Sequence, residues 1–314
     1  MYELIVQELV EPGSMQRFLG ERTSCRYCGA TGSAVFGKRR NAHALPAALG
    51  NRTLFSLDEC RACNDKFSIY EDALCKAVGP FLTLGGVRGR SGVRKTGKTG
   101  SKSTVRHTML EGKRQLSIAS EGDAELMGGD QTKGLLSLTM PVDGDKFVPR
   151  YAYKALTKVG LSMLPAEELP NFQRAIASLD DLDTEPHPGP LQIGFSYAFV
   201  GNAPPALAVT LLRRKDFSAQ LPYMIFLLMA GSVCFQIWLR SDNRDADVPE
   251  VGRLGIRFNA QLPKPEGGYF PINYCDPLQF DWSDLTPRLQ PFQAFELAFN
   301  AQTTEGSITP IPRV

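Results

Sequence analysis

Four of the seven cysteines fall in two Cys-x-x-Cys pairs, Cys25-Arg-Tyr-Cys28 and Cys60-Arg-Ala-Cys63. A Cys-x-x-Cys turn aims two thiolates at one point, and two such turns complete a tetrahedral Zn²⁺ site without another ligand. Cys28 is followed by Gly29, the small residue such a turn favours. A closed four-sulfur site leaves no position for an activated water, so the expected zinc is structural. Cys75, Cys234 and Cys275 lie among apolar residues and read as small buried hydrophobes. Seven cysteines in a chain of this length do not form a disulfide framework, which points to a reducing, cytoplasmic compartment.

Histidine chemistry has only three candidates: His43, His107 and His187. His43 lies between the cysteine pairs, in Asn41-Ala42-His43-Ala44-Leu45-Pro46-Ala47-Ala48-Leu49-Gly50-Asn51. Asn64 directly follows Cys63 and starts a helical pattern through Phe67, Tyr70, Leu74 and Val78. On the residues alone, His43 reads as a structural loop histidine and Asn64 as a helix cap. Asn41, Asp58, Glu59 and Glu71 are further oxygen donors. Glu71 shares a helix face with Asn64 but stands about 10 Å along the axis, too far for both to hold one ion. His107 falls in a basic stretch and reads as a phosphate or surface contact. His187, between Pro186 and Pro188, reads as inert.

The order of these words is knuckle, His-x-x-Pro with a glycine turn, knuckle, Cys-Asn, then helix. It resembles the HNH endonucleases, and more narrowly their zinc-knuckle branch in bacterial defence-type nucleases. The resemblance runs from Cys25 to about Leu84 and rests on CRYCG, AHALPAALGN, ECRACNDKF and YEDAL. It implies a ββα-metal module, treble-clef-like, in which His43 is the general base for water attacking a DNA phosphodiester. It further implies a catalytic divalent ion such as Mg²⁺, with Asn64 at the helix position that donates to it and Glu71 as a weaker candidate. Two positions depart from the family. The acid that usually precedes the histidine is Ala42, and the middle Asn would fall on Phe55. The rival reading is therefore a zinc-containing nucleic-acid-binding or interaction protein that has lost catalysis.

Residues 85–114 carry nine Lys/Arg against one acid, Glu111. They read as a flexible basic loop that meets nucleic-acid phosphates, with Arg88, Arg90, Arg94, Lys95, Lys98, Lys102 and Arg106 as the contacts and a solvated linker as the alternative. Gly92-Val-Arg-Lys-Thr-Gly97-Lys98-Thr99 satisfies the P-loop spacing, but neither flank reads as a core strand or an amphipathic helix. Nucleotide hydrolysis is therefore not the reading.

The elements that must position these groups follow from periodicity. Pro149 precedes a helical spacing of Tyr153, Leu156, Gly160 and Met163, and Leu169, Phe172, Ile176 and Leu179 repeat it, with Pro170 at a first turn. The period then switches to two over Leu191, Ile193, Phe195, Tyr197 and Phe199, and continues through Leu207, Val209 and Leu211. Leu221–Leu239 is long enough to span a bilayer, yet Gly231-Ser232 and the alternation of Val233, Phe235, Ile237 and Leu239 favour two buried strands joined by a tight turn. The expected fold class is α+β: residues 1–115 as the zinc-stapled module with its basic stretch, and residues 116–314 as a larger domain of two helices and an antiparallel meander.

The net charge of +2 divides unevenly over these parts. Residues 1–150 hold 22 Lys+Arg against 16 Asp+Glu, and the remainder 13 against 17. The basic part is the expected partner of DNA, with RNA left open, and the acidic part is expected to regulate, sense or form a homodimer. The first residues show no signal-peptide or lipidation pattern, and no membrane partner is expected.

Overall fold

Pro149 takes its place in the first turn of helix α3 (Pro149–Met163) in the computed structural model. Elements are numbered in chain order. The structure describes residues 2–11, 13–37, 41–90, 92–93, 103–110, 113–120, 127–130, 132, 134–141, 145–180, 189–199, 207–216, 221–246, 248, 273–274, 278–290, 292–300 and 306–312. Thirteen of the fifteen residues of α3 are buried, so this helix has no solvent face. One side packs on helix α1 (Arg61–Ala77) and the other on the large sheet. Gly160 makes the second contact close. A Cβ there would lie 2.7 Å from Leu239 Cδ1 and 3.2 Å from Phe226 Cγ. Tyr70 of α1 faces the helix on the first side, with Tyr151 at 5.3 Å between ring centroids and Lys154 Nζ at 5.4 Å from its ring.

The large sheet has seven antiparallel strands. From one edge they are β1 (Tyr2–Val10), β12 (Leu207–Arg214), β13 (Met224–Ala230), β14 (Val233–Leu239) and β11 (Gln192–Phe199). At the far edge β11 pairs both β15 (Asn273–Tyr274) and β16 (Leu278–Asp281). The expected turn at Gly231-Ser232 joins β13 to β14, with Gly231 at φ 60°. Residues 221–239 are therefore a strand pair, and among the described residues no helix is long and apolar enough to cross a membrane. β13 alternates buried and half-buried positions, whereas every residue of β14 is buried.

A second sheet orders β18 (Gly306–Pro312), β17 (Phe292–Asn300), β10 (Leu135–Pro141) and β9 (Met127–Asp130). Phe81, in helix α2 (Gly79–Leu84), joins this sheet to the large one: its ring meets Phe295 at 5.0 Å and Phe195 at 5.4 Å, both edge-on. A small sheet places β4 (Leu54–Ser56) between β2 (Arg17–Leu19), which is parallel to it, and β3 (Ala42–His43), which is antiparallel.

The structure alters two expectations. The basic stretch is not wholly a loop: it holds the pair β5 (Arg88–Gly89) and β6 (Gly92–Val93), and β7 (Ser103–Leu110), which pairs with β8 (Lys113–Ser120). Cross-strand pairing organises these residues despite their low hydrophobicity. The spacing Leu169–Leu179 is not one helix either. It is a 3-10 segment, Ala166–Phe172, containing Pro170, followed by the short helix α4 (Gln173–Ser178). One cluster of buried apolar side chains runs from Val10 to Leu297. β1 belongs to the large sheet, and α3 lies directly on α1.

Candidate functional site

The two Cys-x-x-Cys turns converge. The sulfurs of Cys25, Cys28, Cys60 and Cys63 all lie within 4.8 Å of one another, with Cys25–Cys63 at 3.8 Å and Cys28–Cys60 at 3.7 Å. A tetrahedron of sulfurs at the Zn–S distance of about 2.3 Å has edges of about 3.8 Å, so the cluster has zinc dimensions. Gly29, at φ 69°, closes the first turn by donating its N–H to the Cys25 carbonyl at 2.9 Å. Cys60 is the N-cap of α1, its sulfur accepting from the Cys63 N–H at 3.5 Å. The hydrogen bond shared with Cys63, assisted by backbone N–H groups, pulls the Cys25 thiol towards thiolate against the opposing effect of burial. The four cysteines can hold one metal ion, and the all-sulfur donor set fits zinc.

The two residues inside the first knuckle grip α3. Arg26 donates Nε to Asp58 Oδ2 at 2.8 Å and Nη1 to the carbonyls of Leu161 and Leu164 at 2.7 and 2.8 Å. A guanidinium at the carbonyl end of a helix satisfies groups that have no intrahelical partner. Tyr27 bonds Ser162 Oγ at 2.7 Å and the Lys158 carbonyl at 3.2 Å. The four-cysteine cluster is thus bolted to a helix more than 130 residues away in the chain.

β3 and β4 form an antiparallel pair in front of α1, with His43 opposite Phe55 and the two rings 4.8 Å apart. The connection is held by Asn51, which is fully buried. Its Nδ2 donates to the carbonyls of Leu45 and Leu54, and its Oδ1 accepts from the N–H groups of Thr53 and Leu54. The asparagine that organises this loop is therefore Asn51, next to the left-handed Gly50, and not a residue at the position of Phe55. The β5–β6 pair folds back over the loop: Arg52 donates to the Gly89 carbonyl, and Arg90 Nη2 stands 3.4 Å from His43 Nε2. A guanidinium only donates, so this contact places the lone pair on Nε2 and the proton on Nδ1. Nδ1 is buried and has no hydrogen-bond partner among the described residues. Burial, reinforced by Arg90, Lys158 and Arg52, pushes the His43 pKa down to about 4, so the imidazole is neutral at pH 7.

Behind His43 stands Lys158, which sequence reading did not single out. Its side chain is fully buried, with Nζ 3.1 Å from Glu59 Oε2, 3.0 Å from Glu71 Oε1 and 3.0 Å from the His43 carbonyl. Burial opposes its charge, but Glu59 and Glu71 overcome this and hold the ammonium protonated. Burial and the Glu71 charge raise the Glu59 pKa to about 7, with Lys158 acting the other way. No hydrogen bond to the Glu59 carboxylate from another residue stands among the described residues. A lysine on a buried helix carries no periodic or spacing signal that marks it as part of a site.

The remaining donors are committed elsewhere. Asp58 accepts from Arg26 and, at 2.7 Å, from Ser56 Oγ, and Asn41 takes Arg22. Asn64 lies in the first turn of α1, its N–H bonded to the Cys60 carbonyl, so the capping role belongs to Cys60. Ala42 is buried and offers no donor. A divalent ion within about 4 Å of the Lys158 ammonium would meet a repulsion on the order of 8 kcal/mol at an effective dielectric of about 20. The residues around His43 therefore do not fit a catalytic Mg²⁺. Of the expected nucleic-acid contacts, Arg88 and Arg90 are on β5 and just after it. Arg106 is on β7, as is His107, while Arg94, Lys95, Lys98 and Lys102 lie outside the described residues, as do His187 and Cys275. Comparison with protein-family models, with curated proteins and with solved structures gives no match, so the site is read from its own geometry.

Proposed function

We propose that the protein is a nucleic-acid phosphodiesterase, with His43 as general base in a zinc-stapled hairpin–helix module of HNH type. One observation carries this reading: a neutral imidazole whose Nε2 lone pair stands beside the guanidinium of Arg90, with Arg52 also close enough to depress its pKa. A phosphodiester is an anion that guanidinium groups bind through paired N–H donors. With Arg90 drawn onto a non-bridging oxygen, Nε2 is free to take the proton of the attacking water. As the water oxygen bonds to phosphorus, the bond to the bridging oxygen breaks, that oxygen leaves and takes up a proton from solvent, and the guanidinium neutralises the charge that grows on the non-bridging oxygen. The basic first half of the chain supplies the non-specific attraction to DNA or RNA. Residues 116–314 then act as the regulatory part of a defence-type effector.

The test is nicking of supercoiled plasmid, with an RNA transcript in parallel. His43→Ala and Arg90→Ala should each lower the rate by at least about 100-fold. Equal cleavage by the wild type and His43→Ala would sink the assignment. A second reading, binding without hydrolysis, is favoured by Ala42 and by the commitment of Glu59 and Glu71 to Lys158. It predicts salt-dependent nucleic-acid binding and no cleavage by any variant.

A further inference from the structure

We infer that Lys158 is a built-in cation, standing where a divalent ion would otherwise sit beside His43, so that among the described residues the four cysteines are the metal site. The inference does not require that a phosphodiester be hydrolysed. The ammonium donates hydrogen bonds to Glu71 Oε1 and the His43 carbonyl and forms an ion pair with Glu59 Oε2 at 3.1 Å. Two carboxylates and a carbonyl around one point are the hard oxygen donors that Mg²⁺ and Mn²⁺ prefer, and the lysine side chain fills that point from inside the fold. Its side chain is wholly buried, so water cannot exchange it for a solvated ion. Its carbonyl is held in turn by Ser162 and Tyr27, which fixes where α3 delivers the ammonium.

The consequence for His43 is positional. Lys158 grips the backbone of the residue whose imidazole faces Arg90, and it adds a positive charge behind that ring. The lysine comes from α3, 115 residues after His43, so the site is assembled only when that helix is docked. Lys158 is thus a positioning residue, and it links the state of the second part of the chain to the loop of the first.

The experiment uses the full zinc-loaded chain and Mn²⁺ as probe, read by electron paramagnetic resonance and by calorimetric titration. The wild type should show no Mn²⁺ site that Glu59→Gln or Glu71→Gln weakens. Lys158→Ala should gain one, at least about tenfold tighter than any wild-type binding, and Lys158→Ala/Glu71→Gln should lose it. If Lys158→Ala does not fold, the wild-type measurement still decides. A wild-type Mn²⁺ site abolished by Glu71→Gln would overturn the inference, as would a folded Lys158→Ala protein that binds no Mn²⁺. A second readout separates positioning from mere support. The His43 imidazole, followed by NMR with His43→Gln for assignment, should titrate at higher pH in Lys158→Met, because one of the three cations lowering it is gone. An unchanged titration would refute the positioning role.

Discussion

Arg26 offers the sharpest test of how the zinc knuckle and the rest of the fold are joined. Its guanidinium side chain is 5% exposed and holds Asp58, itself only 12% exposed, while also satisfying the carbonyls of Leu161 and Leu164. Arg26→Met preserves much of the stem volume but leaves a nearly buried carboxylate with Ser56 alone and two helix-end carbonyls unpaired. Breaking a buried ion pair from one side costs about 3–5 kcal/mol, and that range is the expected loss here. Asp58→Asn should cost less, about 1–2 kcal/mol, because an amide oxygen can still accept from Ser56 and Arg26. The two changes share partners, so the double variant should fall short of the sum by at least about 1 kcal/mol. Urea unfolding followed by tryptophan fluorescence is the assay, since Trp238 and Trp282 are both buried on the sheet side of the molecule, away from the knuckle. The core is continuous across residue 115, so the tryptophan transition should move with Arg26. A shift under about 1 kcal/mol would refute the reasoning. So would a loss of zinc with no change in the tryptophan midpoint.

Other expectations follow from the same contacts. Burial and three nearby cations hold the His43 pKa at about 4 in the folded chain, below the 6.5 of a free imidazole, so the unfolded chain takes up a proton first as pH falls. The stability at neutral pH should drop between pH 6.5 and 4 relative to His43→Gln, by about 2 kcal/mol once solvent screening of this part-exposed ring is allowed for, and a difference that stays flat over that range would contradict the burial argument. If cleavage depends on the neutral imidazole, its acid limb should lie near pH 4 and not near 6.5. Metal analysis should find about one zinc per chain, and Cys63→Ser should abolish it and lower the Tm by at least about 10 °C; a metal-free protein with an unchanged Tm would remove the structural role. Gly160→Ala should destabilise by about 1–3 kcal/mol despite the gain in helix propensity, because Leu239 and Phe226 are buried and cannot retreat, and a more stable variant would show that the α3–sheet contact is looser than described.

Local chemistry was legible wherever neighbours in the chain are neighbours in space. A Cys-x-x-Cys turn brings its own two sulfurs together, and Gly231-Ser232 between two apolar runs of period two turns the chain back on itself. The helix after Pro149 and the strands around Phe195 and Phe235 follow from the same short-range rule. Residues 103–110 escaped it, because Arg106 and His107 mask the strand pattern and pairing with residues 113–120 is what organises them.

By itself, then, the sequence determined the four-cysteine cluster, the α+β class and the histidine on the loop between the knuckles. Only the tertiary structure decided what that histidine meets. Lys158 reaches it from 115 residues away, Arg26 clasps α3 from 135, and β1 joins a sheet whose other strands begin near residue 192. Such pairings are fixed by the summed burial and hydrogen bonding of whole elements, so no single residue type or spacing announces them. The physical identity of the cation behind His43 was a question of packing, and the packing placed an ammonium there.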